Sequence, residues 1–207
     1  PSMVLRSRLL FPQSVINSRK LPNIHWRRLN SIITLSKQNG HPCQKILLCG
    51  GFPKSDLTET IIEAINKTAA AGIRIVGPQS LGLMTPSEGL NLSYLPALPP
   101  AGEVGLVSQS PGLSCTIIDY VTNAQCGFSH VIDPGFEQVL TVADYVDMLA
   151  FDRKTRCIVL YLESFQQPRK LLSAIRLAAA NKPVILLKGG QTPGSADIVI
   201  NNSGARE

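Results

Sequence analysis

No run of apolar residues approaches the roughly eighteen that a membrane-crossing helix needs, so a helical membrane protein is excluded and an ordinary packed core is expected. Cysteine is sparse. Cys43, Cys49, Cys115, Cys126 and Cys157 are odd in number, scattered, and joined by no metal-ligand spacing. They read as reduced thiols, which points to the cytoplasm, and no metal site is expected within the chain. Acidic residues are missing altogether from residues 1–40, where Arg6, Arg8, Arg19, Lys20, Arg27, Arg28 and Lys37 give a charge of +7. The other 13 bases face all 14 acids, so the formal +6 of the chain is local to its first forty residues. Residues 41–207 lack the basic footprint that nucleic acid requires, and neither nucleic acid nor a membrane is expected as a partner.

Residues 1–40 also lack clear periodicity. Leu9, Leu10 and Phe11 follow two arginines, but the run is too short for a signal-peptide core and no small-residue cleavage site follows. A poorly ordered basic segment is expected over 1–40, with a helix suggested only by Leu29, Ile32, Ile33 and Leu35 before Gly40. Lys45–Cys49 then reads as a buried strand closed by Gly50-Gly51-Phe52-Pro53. Asp56 stands three residues before Glu59 and ahead of Ile61, Ile62 and Ile65, a capping-box spacing at a helix start. Gly72 ends that helix and Ile73–Val76 gives the next strand. Residues 41–86 thus read as the tail of an α/β domain with its earlier strands missing, because one such unit cannot cover both its faces. Prolines in Leu95-Pro96-Ala97-Leu98-Pro99-Pro100 stiffen an expected linker over 87–101.

From Gly102 to Lys188 strand and helix patterns alternate. Gly102–Val107 stops at Ser108-Gln109-Ser110-Pro111-Gly112, after which Leu113, Ile117, Ile118 and Val121 recur at helical spacing. Phe128–Ile132 precedes a helix near Val142–Leu149, Cys157–Leu162 precedes Leu171, Leu172, Ile175 and Ala178, and Pro183–Lys188 adds a fourth strand. Such alternation predicts a parallel sheet covered on both faces, with ligands beyond the carboxyl ends of the strands. The loops of interest are therefore Ser108–Gly112, Asp133–Gln138, Glu163–Pro168 and Gly189–Ala205.

Gly77-Pro78-Gln79-Ser80-Leu81-Gly82-Leu83, Gly102–Ser110, Ile158–Glu163 and Asn181–Lys188, taken in that order, resemble the NDP-forming acyl-CoA synthetases, relatives of the succinyl-CoA synthetase alpha subunit. The resemblance covers about residues 43–205. It implies the C-terminal part of a Rossmann-like CoA-binding domain over 41–86 and a flavodoxin-like domain over 102–207, truncated at its C-terminus. It also implies Gly77, Pro78, Gln79 and Ser80 near the CoA thiol, and Ser108, Ser110 and Gly112 near a phosphate. In that family a histidine in a Ser-His-Thr-Gly-Ala type loop relays phosphate, and the matching loop here, Asn201-Asn202-Ser203-Gly204-Ala205, has Asn202 in its place. An amide nitrogen is too weak a nucleophile to accept phosphate. Glu163 matches the carboxylate that orients the histidine, although a strand-end carboxylate equally serves to cap a loop. Pro111 at the first helical position, where the family usually has glycine, removes one phosphate-binding N–H. Val139 and Thr141 stand where the family often has aspartate.

This combination is similar to the synthetase-like region of Pat-type bacterial protein lysine acetyltransferases, which binds acetyl-CoA as a regulatory site beside a separate GNAT domain. The implied function is a CoA or acyl-CoA-binding module without a phosphohistidine relay. Its implied partners are a CoA thioester and either an ATP-grasp region, a GNAT domain or a separate partner chain, in an oligomeric assembly. ATP or ADP with magnesium belongs to the full-length family rather than to this chain alone. Two other readings stand beside it: an active ligase subunit needing a partner chain, and a truncated remnant or protein-binding scaffold without activity. The ligase reading needs a replacement phosphoacceptor, yet His130 falls inside the second strand and His25 and His41 precede the folded region.

Overall fold

The computed structural model describes the backbone of residues 15–17, 45–49 and 59–191, with side chains from 62 to 191. Two sheets are present. Strands β1 (Val15–Asn17), β2 (Lys45–Cys49) and β3 (Arg74–Ser80) pair in that order, all parallel, and helix α1 (Glu59–Ala70) connects the last two. β1 falls inside the segment expected to lack order; its three residues are too short to give a strand signal of their own.

The second sheet has the order β5-β4-β7-β6-β8-β9. Its parallel part is built from β6 (Ala101–Ser108), β7 (Phe128–Ile132), β8 (Cys157–Leu162) and β9 (Val184–Lys188). These are the strands expected from the sequence. Helices α2 (Pro111–Asn123), α3 (Val142–Phe151) and α4 (Pro168–Ala179) make the connections. Successive residues of a strand point to opposite faces, and the core divides accordingly. Leu106, Phe128 and Val131 meet Ile117, Ile118 and Val121 of α2 on one face. Val107, Ile132, Ile158, Leu160 and Leu162 meet Val146 and Leu149 of α3 and Leu171, Ala174 and Ala178 of α4 on the other. Every residue of β7 is buried, as a strand covered on both faces requires. This is a flavodoxin-like α/β fold.

Residues 82–93 depart from the expected division into a first unit over 41–86 and a linker over 87–101. β4 (Gly82–Thr85) and β5 (Leu90–Ser93), joined by a 3-10 turn at Pro86–Glu88, form an antiparallel pair in the second sheet, and β4 runs antiparallel to β7. Only Leu81 separates β3 of the first sheet from β4 of the second. Gly82 makes the hairpin possible: its φ is +120°, and a Cβ there would lie 2.2 Å from the Leu92 carbonyl oxygen.

Candidate functional site

The chain leaves β6 toward β7 on one side and then returns to β8 on the other, so the connections diverge above the carboxyl ends of β6 and β8. In an open sheet that divergence makes a crevice. Ser108 closes β6 and Ser110 is the N-cap of α2, its Oγ accepting from Leu113 N–H at 3.3 Å. Ser108 Oγ donates to Ser110 O at 3.0 Å and accepts from Ser110 N–H at 3.2 Å, with no exposed surface of its own. Ser108 therefore spends its hydroxyl on the turn, whereas Ser110 caps the helix with its oxygen and keeps its O–H proton to donate. Pro111 has no N–H, which leaves Gly112 as the helix-start amide of the expected phosphate site, and a Cβ placed on Gly112 would meet no atom within 4 Å outside its own helix backbone and chain neighbours.

Gln109, between the two serines, ties three loops together. Its Oε1 accepts from Glu163 N–H at 2.5 Å and Ser164 N–H at 3.0 Å. Its Nε2 donates to Ser164 O at 3.2 Å and to Glu137 Oε1. Glu137, 7% exposed, accepts from Val142 N–H at 2.8 Å through its other oxygen and so caps α3. Burial pushes the Glu137 carboxyl above the usual range, against the pull of those two donors. The Glu163 carboxylate reaches the Tyr161 hydroxyl, whose pKa rises through burial and then through the charge and hydrogen bond of Glu163. Lys188, the last residue of β9, donates to Glu163 O at 3.0 Å and lies 5.4 Å from the Phe165 ring centroid.

The turn expected near a CoA thiol lies beside the Asp133 loop. Phe136 N–H donates to Pro78 O at 2.8 Å, and Ser80 Oγ donates to Asp133 O. Asp133 Oδ2 accepts from Leu81 N–H at 2.7 Å, and its Oδ1 accepts from Gly135 N–H at 2.9 Å. Gly135 has φ +64°, and a Cβ there would sit 2.1 Å from Pro78 O, so glycine is required by both conformation and space. Gly77 and Gln79 also have positive φ, at 87° and 59°. Ser80 is 2% exposed, whereas Gln79 is half-buried. Burial raises the Asp133 carboxyl to about 7; hydrogen bonds from Leu81 and Gly135 act against the rise, and Glu163 and Glu137 add to it.

The sequence-predicted residues thus fall into two adjoining groups: Ser108, Ser110, Gly112 and Glu163 at the diverging loops, and Gly77–Ser80 against the Asp133 loop. Asn202 lies outside the described residues. Gln109, Glu137, Asp133 and Lys188 were not singled out by sequence reasoning. His130, the one histidine among the described residues, is buried in β7 with Nδ1 3.6 Å from Asp152 Oδ2, three residues before Asp133. Among the described residues, no three His, Cys, Asp or Glu side chains are grouped to hold a metal ion, and no helix is long and apolar enough to cross a membrane.

Fold and crevice together define a flavodoxin-like α/β protein with a candidate site at the divergence of β6 and β8. The family described as "Succinyl-CoA ligase like flavodoxin domain" matches residues 101–206, and the chain belongs to it. Among curated proteins, the "Acetate--CoA ligase [ADP-forming] I" of Archaeoglobus fulgidus is 24% identical over 162 residues, 77% of this chain and 24% of that protein. The "Acetate--CoA ligase [ADP-forming]" of Methanocaldococcus jannaschii is 35% identical over 120 residues, 58% of this chain and 17% of that protein. The chain therefore spans about a quarter or less of these relatives. A solved acetyl-coenzyme A synthetase 1 of Ca. Korarchaeum cryptofilum, in complex with phosphate and ADP, superposes with a TM-score of 0.74 at 22% identity over 87% of this chain and 39% of its own, which establishes the shared fold.

Proposed function

We propose that this chain is the CoA-thioester-binding module of an ADP-forming acyl-CoA synthetase-like protein in which the phosphohistidine relay does not operate, as in the Pat-type acetyltransferases. The observation that carries the reading is the α2 turn: Pro111 lacks an N–H, Ser108 spends its hydroxyl on the turn, and Gly112 N–H with the Ser110 O–H is what is left to meet a phosphate. Asn202, at the position of the relay histidine, supports it from the sequence. Gly77, Pro78, Gln79 and Ser80 would face the thiol end of CoA. Nucleotide and magnesium would be held by an ATP-grasp partner or domain, and an acyl transfer, where one occurs, by a GNAT domain. A cytoplasmic, oligomeric protein fits this reading.

Thermal unfolding with and without CoA or acetyl-CoA tests binding, because only preferential binding to the folded form raises stability, by about 2.7 kcal/mol at a hundredfold excess over Kd. An upward shift with either ligand is expected; no shift with both would sink the reading. Phosphorylation separates it from the runner-up, an active ligase subunit. That alternative draws support from the separate "Acetate--CoA ligase [ADP-forming] II subunit alpha" of Pyrococcus furiosus, 29% identical over 134 residues. Incubation with labelled ATP and an ATP-grasp partner should leave this chain unlabelled, and an acid-labile phosphoprotein would establish the ligase instead.

A further inference from the structure

One loop joins the two groups of site residues. Phe136 N–H donates to Pro78 O at 2.8 Å, Ser80 Oγ donates to Asp133 O, and Asp133 Oδ2 takes Leu81 N–H at 2.7 Å, so the Gly77–Ser80 turn rests on residues 133–136. The next residue, Glu137, turns to the crevice. Its carboxylate takes Gln109 Nε2 on one oxygen and Val142 N–H on the other at 2.8 Å. Gln109 in turn holds Glu163 N–H, Ser164 N–H and Ser164 O. Glu137 has φ +53°, in the left-handed region that a residue other than glycine enters at a cost, and it is 7% exposed. Its two side-chain bonds oppose the return of its backbone to ordinary values, and the Phe136 N–H that holds Pro78 is the neighbouring group.

We infer that Gln109, acting through Glu137, is a positioning residue for the Gly77–Ser80 turn, so that the crevice above β6 and β8 and the turn form one linked site. A ligand of the turn is then held less well when the Gln109–Glu137 bond is broken. That this ligand is CoA rests on the reading above; the positioning does not. The bond runs from an amide N–H to a carboxylate, and such charge-assisted bonds are about twice as strong as neutral ones. It can be broken from either end and remade by exchange. Gln109→Glu keeps an acceptor for Glu163 and Ser164 N–H but sets two carboxylates face to face. Glu137→Gln puts an amide N–H2 in front of either Gln109 Nε2 or Val142 N–H. In the double variant the amide at 137 donates to the carboxylate at 109 while its oxygen still accepts from Val142 N–H.

Amide hydrogen exchange of the full chain, followed by NMR at Phe136 and Leu81, reads the hold of the loop on the turn. Each single variant should lose about tenfold in protection at one or both amides, the equivalent of one hydrogen bond, and the double variant should recover most of it. Leu171→Ala, in the core beneath α4, lowers global stability by opening a cavity and should leave both amides as they were. Single variants with native protection, or a double variant no better than the singles, overturn the inference. So does Leu171→Ala if it lowers the two amides as far as the single variants do, since the turn then follows global stability alone. CoA affinity, measured by calorimetry on the same proteins, should fall by a similar factor in the single variants and return in the double variant; equal affinity in native and single variants overturns the linked site. Exchange that behaves as expected in a native protein that binds no CoA leaves the positioning standing and removes the CoA reading.

Discussion

Gln109, just ahead of α2, uses both ends of one amide to hold the end of β8 and, through Glu137, the start of α3 in a common register. Gln109→Leu keeps the bulk but strands the Glu163 and Ser164 N–H groups and half of the Glu137 carboxylate. A loss of about 1–3 kcal/mol is expected in urea unfolding, since a buried polar group left unpaired costs that much. Tyr145 runs the other way. Its hydroxyl is buried without a partner, so Tyr145→Phe should raise stability by about 1 kcal/mol, and a loss of that size would show that the hydroxyl is satisfied after all. Neither residue announced itself in the sequence. The serine and glycine turn after β6 is a local pattern and could be read directly. The partners of Gln109 lie 28, 54 and 55 residues away, and only the order of the strands brings them together.

At the scale of elements, the parallel strands were readable because each is a short apolar run followed by a helical period, which is the signature of a two-sided core. β4 and β5 were not. Each has four residues, they are followed or preceded by prolines, and β5 is only half-buried, so neither alternation nor length separates them from a loop. What makes them strands is the open edge of β7. Helix α2 is the most exposed to change at its start, where proline occupies the first position and the Ser110 hydroxyl supplies the cap. Ser110→Ala should cost about 1 kcal/mol of stability, measured by chemical denaturation, with Ser110→Thr retaining most of it.

For the molecule as a whole, pH acts in two directions. The Asp144 and Asp152 carboxyls are lowered in the folded state, and the stability that they supply above their unfolded values is lost as the medium becomes acid. Asp133 has the opposite sign: raised to about 7, it binds a proton in the folded chain that the unfolded chain has released, so its contribution falls as pH rises from about 4 to about 7. Asp133→Asn should therefore flatten the decline in unfolding free energy between pH 5 and pH 7, by on the order of a few kcal/mol at most, in urea titrations at each pH. An unchanged slope would mean that Asp133 is ionised in the folded chain across that range. The core is less forgiving than the surface, and Leu160→Ala, at the centre of the α3 and α4 face, should cost about 2–5 kcal/mol.

The crossing at Leu81 has a practical consequence for anyone who cuts the protein. A fragment begun at residue 101, where the family match starts, would discard β4 and β5 and leave β7 with a bare edge of unpaired backbone groups on a strand that is otherwise buried throughout. Such a piece should self-associate, while one begun ahead of Gly82 carries its own covering hairpin. The same crossing means that a cleavage at Leu81 would sever the last strand of one sheet from β4 of the other, and the Asp133 loop would then be a non-covalent tether between the Gly77–Ser80 turn and the rest of the chain.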